Sequence, residues 1–136
     1  MILIGLMRTT AGGALIKNNK ILLGLRSAEL AYYPCIWDIF GGHCEEGESI
    51  VKTLKREFDE ELGVEPTHFE RVGIIDEPNP NRYGQAQHNV YAVLAWKGKP
   101  SNASKEHTKI RWFTYGELSC VNLASDQYLI LFKRYL

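Results

Sequence analysis

One segment constrains this chain more than any other: Ser49 to Gly63 reads as a helix with its own start, its own stop and two different sides. Ser49 is a plausible N-cap, since a serine hydroxyl accepts from the unpaired N–H groups of a first helical turn. Val51, Leu54, Phe58 and Leu62 recur at helical spacing and predict an apolar stripe that must pack on something. Gly63 stops the helix where a left-handed residue is usual, and Pro66 prevents it from resuming. Away from that stripe, Glu57, Glu60 and Glu61 crowd the last turn, and spacings of three and four residues put them on one face.

That crowding is electrostatically unfavourable. Carboxylates at a helix C-terminus oppose the macrodipole, and Glu57 and Glu61 repel each other at i,i+4, which sums to a cost on the order of 2 kcal/mol. One reading is a solvated acidic face. The other is a site for a hard divalent cation, Mg²⁺ or Mn²⁺, which turns the repulsion into attraction.

The rest of the chain predicts a mixed α/β architecture. Ala14 to Ile16 and Lys20 to Leu25 read as a hairpin around Lys17-Asn18-Asn19, with Ser27 to Pro34 as a loop. Trp37 to Phe40 alternates as a strand does, Gly41-Gly42 is expected to break it, and His43 to Glu48 is a polar loop. Strands are expected over Phe69 to Asp76, His88 to Trp96 and Ile110 to Thr114. Glu77 to Gly84 and Lys97 to Lys109 read as surface loops, Gly116 to Leu118 as a turn of helix. Ser125 to Tyr135 reads as a last helix with a stripe of Tyr128, Leu129, Phe132 and Leu136.

Length and composition set further bounds. At 136 residues and 45% hydrophobic content the expectation is one domain, 1–136, with a core of its own. A net charge of zero argues against a broad nucleic-acid or membrane surface. Cys35, Cys44 and Cys120 are odd in number and lack metal spacing, so free thiols and a cytoplasmic location are expected. The opening Met-Ile-Leu-Ile-Gly-Leu-Met is too short for a membrane span and lacks the basic start of a signal peptide.

Reading back from the acidic cluster gives Gly42, five residues, Glu48, seven residues, then Arg56-Glu57-Phe58-x-Glu60-Glu61-x-Gly63-Val64. This run, 42–64, resembles the Nudix box, Gly-x5-Glu-x7-Arg-Glu-U-x-Glu-Glu-x-Gly-U, where U is a bulky aliphatic residue. Phe58 at the first U position is the one departure, and it touches no chemistry. The resemblance implies the family's α/β/α sandwich, with a mixed sheet between helices. It also implies hydrolysis of a nucleoside diphosphate linked to another group. The short chain resembles MutT-like enzymes, which implies a nucleoside triphosphate cleaved to monophosphate and pyrophosphate. Pro78, Pro80 and Tyr83 keep ADP-ribose, an ADP-sugar or a dinucleotide polyphosphate open as substrate, and a catalytically silent nucleotide sensor is a third reading.

By the same resemblance Glu57 and Glu60 are the central ligands of Mg²⁺ or Mn²⁺, Glu61 is the third, and the Gly41 carbonyl joins them. Gly42, Glu48 and Gly63 are structural, with Glu48 pairing to Arg56, whose planar fork suits orienting a carboxylate. Glu106 resembles the loop glutamate that many relatives use as metal ligand or general base, against the alternative of an ordinary exposed residue. Arg26 is a candidate phosphate contact or a solvated arginine. Asp126 is a candidate for a base edge or a helix cap. His43 and His107 fall near the site, with a packed or solvated role expected. Trp37 and Trp112 are expected in the core, and Tyr32, Tyr33 or Tyr83 could stack on a base. The expected partner is a nucleotide substrate, with no stable nucleic-acid or membrane binding, and a homodimer is open.

Overall fold

The computed structural model describes residues 7–136. The apolar opening segment lies outside the described residues except for Met7, so no structural statement bears on its reading.

Seven strands form one mixed sheet. β1 (Arg8–Lys17) turns through Asn18 (φ 53°) and Asn19 (φ 60°) into β2 (Lys20–Arg26). Two consecutive left-handed residues are the requirement of a type I′ hairpin, and asparagine tolerates them better than most. β3 (Trp37–Asp38) pairs with β2, and β4 (Phe40–His43) pairs antiparallel with β1. α1 (Ile50–Leu62) follows, then β5 (Glu65–Asp76), a short α2 (Pro80–Tyr83) and β6 (Ala86–Lys97). β6 lies parallel to β1 over Arg8 to Leu15 and antiparallel to β5. β7 (His107–Phe113) pairs with β2, and α3 (Tyr115–Leu118), α4 (Tyr128–Leu131) and a 3₁₀ turn (Lys133–Tyr135) complete the chain.

Strand alternation builds two cores, one on each face of the sheet. Leu15, Leu22, Phe40, Tyr91 and Val93 face α1 and meet Leu54, Phe58 and Leu62. Ala14, Ile16, Ile21, Leu23, Val90 and Ala92 face the opposite way, toward Leu118, Tyr128 and Phe132. The expected sandwich, with a mixed sheet between helices, is what forms. Among the described residues no helix is long and apolar enough to cross a membrane.

Several local expectations change. Gly41-Gly42 does not break a strand; both glycines lie inside β4, opposite Gly12 and Ala11. The break falls at Ile39, where the backbone N–H takes the Asp38 carboxylate at 2.8 Å. Val51 is exposed, so the stripe of α1 is Leu54, Phe58 and Leu62. The segment 77–84 is not all surface: Glu77 is buried, and α2 occupies Pro80–Tyr83. The last helix is one turn of α-helix followed by 3₁₀, with Tyr135 and Leu136 N–H reaching back three residues to Phe132 and Lys133. Its stripe still packs, because burial of Tyr128 and Phe132 requires only their direction and not a long helix. Trp112 is only partly buried, stacked on Trp96 at 6.4 Å.

Candidate active site

α1 is set by its caps. Ser49 Oγ accepts from the Lys52 N–H at 3.1 Å, and Gly63 (φ 69°) sends its N–H to the Asp59 carbonyl at 3.0 Å. This phase buries Leu54, Phe58 and Leu62, and it carries two carboxylates partly into the protein: Glu57 is 8% and Glu61 2% exposed. The acidic cluster therefore flanks the apolar stripe instead of standing opposite it, while the Glu60 side chain remains open to solvent. The expectation of a cluster on the side away from the stripe is corrected here, since residues three apart on a helix are only about 60° apart in direction.

β4 supplies the floor. A Cβ on Gly42 would collide with the Glu57 carboxylate, and one on Gly41 with the Ala11 carbonyl. Gly42 thus lets the Glu57 carboxylate close on bare backbone, and Gly41 lets β4 close on β1.

Arg56 is the hub of the polar side. Its Nε donates to Glu48 Oε2 at 2.8 Å and its Nη2 to Glu48 Oε1 at 3.0 Å. Nη1 reaches Glu57 Oε1 at 2.9 Å and both Glu60 oxygens at 3.4 Å, and Nη2 also meets the His43 carbonyl at 3.1 Å. Glu48 accepts further from Thr53 Oγ1 at 2.6 Å and from the Glu45 N–H at 3.1 Å. The Arg56 hydrogen bonds first, then Thr53, hold the Glu48 carboxyl down at about 2, and Glu48 holds Arg56 firmly charged.

The other carboxylates are pushed the opposite way. Burial raises Glu57 above the usual carboxylate range against the opposing pull of Arg56, and Glu60 and Glu106 add to the rise. Burial raises Glu61 well above it, reinforced by the hydrogen bond and charge of Glu106 and by Glu57; the Gly41 backbone opposes. Beside them, His107 is 3% exposed, with Nδ1 at 3.8 Å from Glu61 Oε1. Burial, then Arg26, pushes the His107 imidazole down to about 4.

A cavity of about 370 Å³ opens beside this cluster and touches it at Glu106 and at Gly41 and Gly42. Glu106, Gly41 and Gly42 line one part of it, and Arg26, Asp38, Ser125 and Tyr128 line another. Arg26 is tied to the loop between β2 and β3, giving hydrogen bonds to the Tyr32 carbonyl at 2.8 Å and the Tyr33 carbonyl at 3.2 Å. It faces Asp38 at 3.8 Å. Tyr128 Oη donates to Asp38 Oδ1 at 2.6 Å, yet burial still raises the Asp38 carboxyl. Asp126 is exposed and caps nothing; its neighbours Ala124 and Ser125 line the cavity in its place. Tyr83 packs against Tyr32 and Tyr33, which line the cavity, with ring centroids 5.5 and 4.5 Å away. A NUDIX domain matches residues 7–133.

The chain belongs to the Nudix family. It is 28% identical over 113 residues to an 8-oxo-dGTP diphosphatase of Buchnera aphidicola, covering 83% of this chain and 82% of that one. The fold superposes on a MutT Nudix hydrolase from Burkholderia pseudomallei with a TM-score of 0.84, at 22% identity over 96% of this chain and 99% of the other. It also superposes on the Nudix domain of Shewanella oneidensis NrtR, solved with ADP ribose, with a TM-score of 0.79 at 19% identity over 96% and 89% of the two chains. This chain is a MutT-like Nudix pyrophosphohydrolase.

Nudix enzymes in general use divalent metal ions, and the residues present fit one. Glu61 Oε2 is buried with no hydrogen-bond partner among the described residues, and burial and like charge both disfavour its ionised form in the absence of a cation. Glu57, Glu60, Glu61 and Glu106 are the oxygen donors available to such ions.

Two groups of this Nudix site, Asp38 and Glu77, were not singled out in the sequence, and a third, His107, was placed near the site without its present surroundings. Asp38 looked like one polar position in an alternating strand. Glu77 sat in an apparent loop, yet it accepts from Tyr33 Oη and from the Asn79 N–H at 2.8 Å, with His88 Nε2 at 3.1 Å. Burial raises its pKa, but these bonds prevail and lower it. His107 was assigned a packed or solvated role; it is buried, but neither ring nitrogen is satisfied. No local spacing signals any of the three, because the side chains that face them, Tyr128 for Asp38, Tyr33 for Glu77 and Glu61 for His107, lie far away along the chain.

Proposed function

We propose that this enzyme hydrolyses a nucleoside or deoxynucleoside triphosphate to the monophosphate and pyrophosphate, with 8-oxo-dGTP as the first candidate substrate. One observation carries the reading: Glu106 and the Gly41-Gly42 floor of the box share a single cavity with Arg26, Asp38 and Tyr128. A polyphosphate beside the carboxylates thus has room for its nucleoside in the same enclosure. The curated relative named for 8-oxo-dGTP supports the choice of base.

Divalent ions, Mg²⁺ or Mn²⁺, supply charge neutralisation to the polyphosphate and acidify the attacking water when bound. Glu57, Glu60, Glu61 and Glu106 hold them. Arg56 opposes the rise that burial imposes on Glu57 and aims its carboxylate, since its Nη1 sits 2.9 Å away. Glu106, on an exposed segment at the start of β7, accepts the proton of the attacking water in this reading. Arg26 closes the cavity through the loop carbonyls it holds, and the tyrosines that line it limit the entry of bulk water.

The test is product analysis across (d)NTPs, 8-oxo-dGTP, ADP-ribose and diadenosine polyphosphates with Mg²⁺ or Mn²⁺, beside Glu60→Gln. Pyrophosphate release from a triphosphate, lost in the variant, supports the reading. AMP from ADP-ribose with every triphosphate inert overturns it, and so does ligand binding without any turnover.

A further inference from the structure

Beyond its carboxylates, the site contains an imidazole whose surroundings leave it unfinished. His107 stands at the first position of β7, paired with Arg26 of β2 next to a bulge between Leu25 and Arg26. Gly24 makes room for its ring: a Cβ there would meet the His107 ring carbons. Phe40 packs edge-on at 4.9 Å, and Asn102 Nδ2 holds the His107 carbonyl at 2.8 Å. The ring is therefore walled in and its backbone fixed.

A buried, fixed imidazole ordinarily has at least one nitrogen hydrogen-bonded. Here neither Nδ1 nor Nε2 has a partner among the described residues, and the same is true of Glu61 Oε2 beside them. One ligand atom each from Glu61, Glu106 and His107 lie within 4.8 Å of one another, with the His107 Nδ1 to Glu61 Oε1 separation at 3.8 Å. Ligands of one ion with bonds of about 2.1 Å stand at most about 4.2 Å apart. Glu61 and His107 already satisfy that limit, and Glu106, which is exposed and free to move, has only a few tenths of an ångström to close.

We propose that Glu61, Glu106 and His107 form a mixed oxygen and nitrogen subsite that binds a divalent transition-metal ion, Mn²⁺ being the probe, through the imidazole, beside the all-oxygen donors Glu57 and Glu60. Imidazole is a poor ligand for Mg²⁺ and a better one for transition-metal ions, increasingly so from Mn²⁺ toward the later members of the series, so this subsite sets a metal preference that the carboxylates alone would not. The inference rests on the reading that the box carboxylates hold divalent ions, and is independent of which nucleotide is cleaved.

The test is pulsed electron paramagnetic resonance on the metal-stripped full chain with one equivalent of Mn²⁺. The expected result is nuclear modulation from one directly bound ¹⁴N, replaced by the ¹⁵N pattern when the histidines are ¹⁵N-labelled. His107→Gln removes the modulation and weakens Mn²⁺ binding by about tenfold or more, while Mg²⁺ binding changes much less. His107 is buried, so the variant can fail to fold; His43→Gln, His68→Gln and His88→Gln then assign the signal by exclusion, each expected to retain it. Bound Mn²⁺ with only oxygen ligands overturns the proposal and leaves the carboxylate reading standing. Loss of the nitrogen signal in His43→Gln, His68→Gln or His88→Gln also overturns it. Absence of Mn²⁺ binding overturns both.

Discussion

Arg56 grips Glu48 with two nitrogens on two oxygens, at 2.8 and 3.0 Å, and uses its remaining nitrogen on Glu57 at 2.9 Å. One guanidinium thereby links a carboxylate also held by Thr53 and the Glu45 N–H to one that belongs to the acidic cluster. Lysine has a single point charge and cannot span both. Arg56→Lys is expected to lower kcat about 10–100-fold with the fold retained, as for other residues that orient metal-binding carboxylates. Steady-state kinetics beside circular dichroism checks this; unchanged kcat would show that the fork does not position Glu57.

The same pair predicts an acid-limb dependence. Glu48 has a folded pKa depressed to about 2, below its ordinary 4.5. The unfolded chain therefore binds this proton first as pH falls, and the native state loses stability between pH 4.5 and 2. The stability advantage of the wild type over Glu48→Gln should be constant above pH 5 and shrink toward pH 2. Thermal melts across that range test it, and a difference that does not change with pH would count against the assignment.

Glu61 trades stability for metal binding. Its carboxyl is 2% exposed and pushed well above the ordinary range by burial and by Glu106. Glu61→Gln removes the buried charge, so in EDTA at pH 7.5 the variant should be more stable by about 1 kcal/mol, or roughly 3–5 °C. With Mn²⁺ added, the wild type gains stability and the variant gains much less. A variant less stable than wild type in EDTA would mean the carboxylate is held by interactions other than a cation.

The two glycines of β4 fail differently when altered. Gly42→Ala sets a methyl group against the Glu57 carboxylate, a flexible end that can move. It should fold while losing metal-dependent activity. Gly41→Ala meets the Ala11 carbonyl, which is backbone in the neighbouring strand, and should destabilise by about 1–3 kcal/mol. Denaturant melts and kinetics on both separate the cases.

Arg26 and Asp126 should separate as well. Arg26→Ala releases the Tyr32 and Tyr33 carbonyls and removes the cation facing Asp38, so KM for the nucleotide should rise by about tenfold. Asp126→Ala, on an exposed residue outside the cavity lining, should leave kcat and KM within about twofold, as most surface substitutions do. Equal effects would place Asp126 at the ligand.

The sequence by itself determined the helix, its caps, the spacing of the box and the kind of fold. Those signals are local: Ser49 caps Lys52, Gly63 closes on Asp59, and Glu57, Glu60 and Glu61 are neighbours because a helix repeats every 3.6 residues. What tertiary structure decided is which side of that helix is dry. Val51 continued the apolar pattern yet faces solvent, while Glu57 and Glu61 are buried, and Gly42 of β4 is where the strand comes against the Glu57 carboxylate. The partners of Asp38, Glu77 and His107 were also decided there. Asp38 meets Tyr128 ninety residues away, Glu77 meets Tyr33 across forty-four, and His107 of β7 meets Glu61 of α1. A sequence records the chemistry of each such group, but not the packing that removes water from it, and burial is what moves its pKa and leaves its nitrogen or oxygen unsatisfied.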